Sequence, residues 1–209
     1  MAISKKEHWD KIYTDGSATQ LGWDEPKSFP SSALIERCAV PKHSPIVDLG
    51  SGRSTLISHL IESNYQNVYA VDISNVALKK AKEFLGQEQA TQVNWIVDDI
   101  TNPDAVLGLQ NVALWHDRAV FHFLTDEDDR QKYRSVLKEL LMLDGFLVMA
   151  TFALDGASKC SGLPVQRYSA ESLSDFLGDR FKLVESLEYS YQMPSGNFRP
   201  FVYTRFQKA

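Results

Sequence analysis

The sequence predicts an α/β protein: a seven-stranded, mostly parallel sheet with helices on both faces and an antiparallel hairpin at its C-terminal end. Three observations predict it. From residue 46 onward, short apolar runs alternate with amphipathic helical stretches. Such interleaving is the pattern of βα units on a parallel sheet. The last two apolar runs instead follow one another across Pro194-Ser195-Gly196-Asn197, a turn too short for a helical crossover, so one strand is antiparallel.

The elements follow in order. Ser4 caps a first helix, with Glu7 as its capping-box partner. Trp9 and Tyr13, four residues apart, share one face of it. Pro26, Pro30, Pro41 and Pro45 make the chain up to residue 46 irregular after that helix. Ile46 to Leu49 is a short strand ended by glycines. Ser54 to Glu62 is a helix with Leu56, Ile57, Leu60 and Ile61 on one face. Asn67 to Asp72 is a strand, and Ser74 to Leu85 a helix capped by Ser74 and stopped by Gly86. Val93 to Val97 and Val112 to Trp115 are strands. Thr125 or Asp126 opens a long helix to about Leu143, and Asp144-Gly145 turns into the apolar strand Phe146 to Phe152. A short helix, Ala170 to Leu177, precedes the final strands Phe181 to Tyr191 and Phe201 to Phe206.

Length and composition bound the rest. The 209 residues fit a single domain, read as an N-terminal helix and aromatic segment, 1–45, on a core of 46–209. Hydrophobic residues at 44% allow a core that needs no staples. Twenty-two basic against 27 acidic residues give a net charge of −5 with no basic run, which argues against duplex nucleic acid as a partner. No apolar run reaches the ~20 residues of a membrane span, and the first residues lack the apolar core of a signal peptide. Cys38 and Cys160 are far apart without CxxC spacing. No metal site or disulfide scaffold is expected, and a reducing, cytoplasmic setting is the default. Composition says nothing of oligomeric state.

The chemistry begins at Asp48-Leu49-Gly50-Ser51-Gly52-Arg53-Ser54, where a strand runs through two glycines into a helix. Glycines there permit a tight turn and close backbone approach. In an open α/β sheet this is the expected ligand crevice. The nicotinamide fingerprint GxGxxG requires a third glycine where Thr55 stands, which counts against an oxidoreductase. Asp48 suits a cationic group better than a pyrophosphate. Asp72, ending the next strand with Ile73 beside it, can accept both hydroxyls of a ribose. After the third strand, a carboxylate of Asp98-Asp99 followed by Ile100 can bind the amino edge of a purine and cover its face. Which of the two aspartates points inward stays open. The ligand sketched is an adenosine bearing an amino acid and no phosphate.

These motifs and their order resemble the class I S-adenosylmethionine-dependent methyltransferases over nearly the whole chain. The resemblance implies a Rossmann-like seven-stranded fold, methyl transfer, and S-adenosylmethionine as cofactor with S-adenosylhomocysteine as product. It carries the glycine loop onto Asp48, Gly50, Ser51 and Gly52, the ribose site onto Asp72 and Ile73, and the adenine site onto Asp99 and Ile100. Arg53 stands where the family seldom has arginine; it meets the ligand carboxylate or sits on the surface.

A second polar segment, Trp115-His116-Asp117-Arg118-Ala119, follows the fourth strand. It is similar to the corresponding segments of thiopurine-type small-molecule methyltransferases and of seven-β-strand protein lysine methyltransferases, with Ala119 where those have glycine. The catalytic candidates are Asp117 and His116, to orient or deprotonate the acceptor; alternatively His116 offers only its backbone to the cofactor's adenine side. The plainer reading pairs Asp117 with Arg118 as a weak ion pair. His122, in an apolar run, reads as a core histidine. Trp9, Tyr13 and Trp23 resemble the same subfamilies' entry segment and are read as cofactor-contacting cover, or else as docking the helix on the sheet. Residues 156–164 have the composition of a substrate loop, with Cys160 an unactivated loop thiol. The compact chain favours a small thiol- or amine-type acceptor, with a protein lysine as the alternative. A non-catalytic module that binds the cofactor or its product is the reading from another class.

Overall fold

The structure is a computed structural model that describes residues 3–15 and 21–209. Residues 1, 2 and 16–20 of the N-terminal segment lie outside the described residues. Two helices, α1 (Lys5–Asp15) and α2 (Ser31–Glu36), precede the alternating part of the chain. Then come β1 (Ile46–Leu49), α3 (Thr55–Glu62), β2 (Val68–Asp72), α4 (Asn75–Leu85), α5 (Gln87–Ala90), β3 (Val93–Val97) and β4 (Val112–Arg118). The chain continues through α6 (Glu127–Leu140), β5 (Leu141–Phe152), a small β6 (Lys159–Cys160) and β7 (Leu163–Pro164) pair, and α7 (Ala170–Leu177). It ends in β8 (Phe181–Gln192) and β9 (Phe198–Lys208).

The sheet has seven strands in the order β3-β2-β1-β4-β5-β9-β8. Strands β1 to β5 are parallel, and β9 runs antiparallel between β5 and β8. The order reverses at β1, which is flanked by β2 and β4. The carboxyl ends of β1 and β4 therefore border the crevice where such sheets bind ligands.

Local chemistry explains the starts of the helices. Ser4 and Glu7 exchange the capping-box bonds at α1. Ser54, Ser74 and Asp126 each accept a backbone N–H of the helix they open, a contribution of ~1 kcal/mol per cap. Strand β1 is buried on both faces, as expected for a central parallel strand. Side chains alternate between two cores: Leu34, Ile57, Leu114 and Val148 on one face, Val47, Trp115, Tyr133 and Leu147 on the other.

Four details depart from the sequence reading. Helix α2 was read as irregular chain; Pro30 is the residue that opens it, and Leu34 and Ile35 are fully buried. The fourth strand does not stop at Trp115 but continues through Arg118, pairing His116 with Asp48 and Val148. Helix α6 ends at Leu140 and β5 starts directly after it, with an irregularity within the strand where Asp144 adopts φ 61° and Leu143 is exposed. Residues 156–164 include a small hairpin, β6–β7, whose turn residues Ser161 and Gly162 both have positive φ. No helix among the described residues is long and apolar enough to cross a membrane.

Candidate active site

A cleft of about 330 Å³ opens at the carboxyl ends of β1, β2 and β4. One end is walled by Gly50, Ser51, Gly52, Asp72, Ile73, Asp98, Asp99 and Ile100. Trp9, Tyr13 and Trp23 from the N-terminal segment line the same cleft. They are tied together edge to face: Trp9 to Trp23 at 5.9 Å, Tyr13 to Trp23 at 6.0 Å and Trp9 to Phe123 at 5.0 Å between centroids. The three aromatics thus both dock the segment and wall the cleft.

The glycines are required by the protein's own packing as well as by the turn. Gly50 has φ +63°, and a Cβ there would lie 2.1 Å from Val120 Cγ2. Gly52 has φ +48°, and its Cβ would lie 2.3 Å from the Tyr13 hydroxyl. Asp72 accepts the Gly52 N–H at 2.9 Å and the Ser74 N–H at 2.8 Å, so it clamps the loop to the next helix start. Burial pushes its carboxyl up to about 6. Each carboxylate oxygen accepts more than one hydrogen bond, so these clamps leave acceptor capacity for a diol.

Asp48 and His116 are neighbours across the β1–β4 ladder. Asp48 Oδ1 lies 2.6 Å from His116 Nδ1, and His116 Nε2 lies 2.8 Å from Ser31 Oγ. Both ring nitrogens are therefore engaged, and His116 is a strut holding Asp48 against α2, not a ring with a nitrogen open to an acceptor. The other oxygen, Asp48 Oδ2, and Ser51 Oγ are buried on the cleft with no partner among the described residues. Orphaned buried polar atoms cost ~1–3 kcal/mol each, and a bound polar ligand relieves that cost. An anionic oxygen and a hydroxyl at this spot fit the amino acid end of S-adenosylmethionine.

The two adjacent aspartates after β3 differ. Both oxygens of Asp98 are engaged: Oδ2 accepts the N–H groups of Asp104 and Val106, which caps the turn that follows, and Oδ1 accepts the Asp99 N–H. Asp99 binds the Thr101 N–H and hydroxyl through Oδ1 alone, beside Ile100 on the cleft.

Asp117 is not brought to the cleft. Strand alternation turns it to the opposite face from His116 and Arg118, where it is fully buried. It accepts N–H bonds from Val120 at 3.0 Å and Phe121 at 3.2 Å, and the Tyr133 hydroxyl at 2.8 Å. Burial pushes its carboxyl up to about 6. The same alternation rules out the Asp117–Arg118 pair. The turn after it needs φ 67° at Ala119, which explains why a glycine suits that position. His122 is a core histidine: fully buried between Phe123 and Phe152, it is pushed down to about 3 by burial and by Arg118 and Arg199.

The far end of the cleft brings in Glu25, Tyr191, Arg199 and Phe201, to which the sequence reading gave no role. Arg118 pairs with Glu25 at 2.8 Å, donates from Nε to the Tyr203 hydroxyl oxygen at 3.1 Å, and stands over the Tyr191 and Phe201 rings. Arg53 pairs with Asp24 at 2.8 Å. Burial raises the carboxyls of both Asp24 and Glu25. Cys160 lines the cleft and does have a polar partner: Arg199 Nη1 donates to its Sγ at 3.3 Å. Glu25 lies two residues from Trp23, which the sequence did single out; Arg199, on the last strand, carried no such signal.

The comparisons agree with this geometry. A family model described as a methyltransferase domain matches residues 46–145. EEF1A lysine methyltransferase 2 of Mus musculus is 22% identical over 94% of this chain and 80% of its own length, and its Homo sapiens counterpart 20% identical over 94% and 83%. Among solved structures, a SAM-dependent methyltransferase from Anabaena variabilis superposes with a TM-score of 0.77 at 15% identity, covering 100% of this chain and 96% of that one. A Burkholderia thailandensis 1,6-didemethyltoxoflavin-N1-methyltransferase, solved with 1,6-didemethyltoxoflavin and S-adenosylhomocysteine bound, gives 0.72 at 18% identity over 100% and 92%. With its strand order, its glycine loop and the two unpartnered polar atoms beside that loop, the chain carries a methyltransferase domain over residues 46–145, and S-adenosylmethionine is its cofactor.

Proposed function

We propose that this enzyme methylates the side-chain nitrogen of a lysine in a protein. The observation that carries the reading is the far end of the cleft, where Glu25 pairs with Arg118 beside the Tyr191 and Phe201 rings and where Trp9, Trp23 and Phe123 line the same cleft. Aromatic faces favour a cation by ~0.5–2 kcal/mol, and a carboxylate orients an ammonium. The named activity of the mouse and human relatives supports it, because they are similar over nearly the whole chain.

In this proposal the bound cofactor supplies an electrophilic methyl carbon. Asp48 and Ser51 hold its amino acid end, His116 braces Asp48, Asp72 and Ile73 flank its ribose, and Asp99 with Ile100 its adenine. Trp9, Tyr13 and Trp23, in the N-terminal segment of residues 1–45, cover it and exclude water. Glu25 orients the acceptor and draws off its proton; Asp117 acts only by fixing the loop from Ala119 to Phe121. A small thiol or amine is the second reading. The cleft volume lies within the ~300–1,000 Å³ range of small-molecule sites.

Incubation with methyl-labelled cofactor separates these readings. Purified EEF1A, the substrate named in those relatives, should acquire label on lysine, read by mass spectrometry. Label found only in small thiols or amines would transfer the assignment to the second reading. Cofactor binding without labelling of proteins or of small molecules would reduce the chain to a binding module.

A further inference from the structure

Three arginines line the cleft, and two of them meet a carboxylate: Arg53 meets Asp24 and Arg118 meets Glu25. The third, Arg199, has no carboxylate within 4.0 Å among the described residues. Its neighbours are soft or apolar. Nη1 donates to Cys160 Sγ at 3.3 Å, and the guanidinium stands over the Phe152 ring at 5.6 Å. Its Nη2 would lie 3.5 Å from a Cβ at Gly22, ordinary van der Waals contact, so the guanidinium packs beside the Gly22 backbone. The residue is also well placed: β9 pairs it with Tyr191 across the antiparallel ladder. A guanidinium is always charged and presents a rigid fork that matches a carboxylate. Half-buried beside apolar walls and lacking such a partner, it is poised for one brought from outside.

We propose that Arg199 is a specificity-determining residue that binds a carboxylate carried by the methyl acceptor. This rests on the lysine reading only for which end of the cleft receives the acceptor. In a protein acceptor the carboxylate is an Asp or Glu side chain next to the methylated lysine. In a small acceptor it is the carboxylate of an amino acid-like molecule. The Arg118–Glu25 pair is close to neutral, so Arg199 adds the net positive charge at this end. The acceptor thus presents an amine toward Glu25 and an anion toward Arg199.

Cys160 supplies a direct readout, because the proposed carboxylate competes for the guanidinium beside its sulfur. Cys38 is an internal control: it is buried, its thiol donates to the Leu34 carbonyl, and burial pushes it up to about 12. With the enzyme saturated with S-adenosylhomocysteine, iodoacetamide labelling of Cys160 is followed by mass spectrometry. Propionate should slow it saturably at matched ionic strength, propionamide should not, and Arg199→Gln should abolish the difference. In turnover, a lysine peptide with a neighbouring Glu should show a KM about tenfold or more below that of its Gln counterpart. Arg199→Gln should bring the two together while S-adenosylmethionine affinity holds, and Arg199→Lys should restore part of the preference. Equal effects of propionate and propionamide, or a Glu-over-Gln preference untouched in Arg199→Gln, would overturn the proposal. If no lysine peptide is methylated but propionate still protects Cys160 through Arg199, the lysine reading fails and the anion site stands. Arg199-dependent methylation of a small amino carboxylate then assigns that site to a small acceptor.

Discussion

Asp117→Asn separates a structural clamp from a catalytic base. The wild-type carboxyl is fully buried and pushed from 3.8 up to about 6. A group whose folded pKa lies above its unfolded one favours folding most when protonated. Its contribution is fully present below pH 3.8 and is lost as pH rises through about 6. The gap between the two values corresponds to about 3 kcal/mol. Asn keeps an oxygen for the Val120 and Phe121 N–H groups but does not titrate. Denaturant unfolding of both proteins from about pH 8 to about pH 4 should show the wild type gaining about 3 kcal/mol relative to the variant. The remaining carboxylates cancel in the difference. A flat difference, or one of opposite sign, would refute the burial argument. Activity gives the second axis. If Asp117 only fixes the loop, methyl transfer at saturating cofactor should stay within a few-fold of wild type. A fall of about 100-fold or more at unchanged cofactor affinity would make it a catalytic base after all. Asp117→Ala removes the acceptor of two N–H groups and the Tyr133 hydroxyl, at ~1–3 kcal/mol each, a large part of a ~5–15 kcal/mol stability.

Three further outcomes are expected. Asp72→Ala should weaken S-adenosylmethionine binding by at least ~1.5–3 kcal/mol in calorimetry, since it loses the ribose contacts and also frees the Gly52 and Ser74 N–H groups it clamps. Gly50→Val should abolish cofactor binding and also lower the melting temperature, because Val120 occupies the space its side chain would need; a variant that binds and melts normally refutes the placement of this loop. Removing residues 1–15 takes away α1 and leaves the Arg53–Asp24 and Arg118–Glu25 pairs intact. It should give a folded core with much weaker cofactor binding, and in the full chain the α1 amides should gain hydrogen-exchange protection when S-adenosylhomocysteine is added. Equal protection with and without ligand would make Trp9 and Tyr13 packing residues only.

The fold was legible because its elements are locally consistent. Ser54 and Ser74 cap where they stand, Gly86 stops a helix, and apolar periods switch from helix to strand at each turn. The errors fall where tertiary contacts override local pattern. His116-Asp117-Arg118 looks like an exposed polar segment after a strand. It is strand, because each side chain finds a buried partner on a different element: Asp48 and Ser31, the 120–121 backbone with Tyr133, and Glu25 with Tyr203. Period and propensity carry no information about such partners. Helix α2 was missed for a related reason. Four prolines mask it, although a proline at a helix start is permissive.

The two ends of the cleft also differ in how sequence encodes them. Apart from its aromatic cover, the proposed cofactor end runs from Asp48 to Ile100 and lies within the matched methyltransferase region of residues 46–145. The proposed acceptor end is assembled from Trp9, Trp23 and Glu25, from Arg118 and Phe123, and from Phe152, Cys160, Tyr191, Arg199 and Phe201. Of these only Arg118 and Phe123 fall inside the matched region. A family match of this extent therefore speaks for the cofactor and is silent on the acceptor. Acceptor choice can change through the N-terminal segment and the last two strands without disturbing the glycine loop. That is why Glu25 and Arg199, and not the motifs that identified the chemistry, are the positions at which substrate identity should be sought.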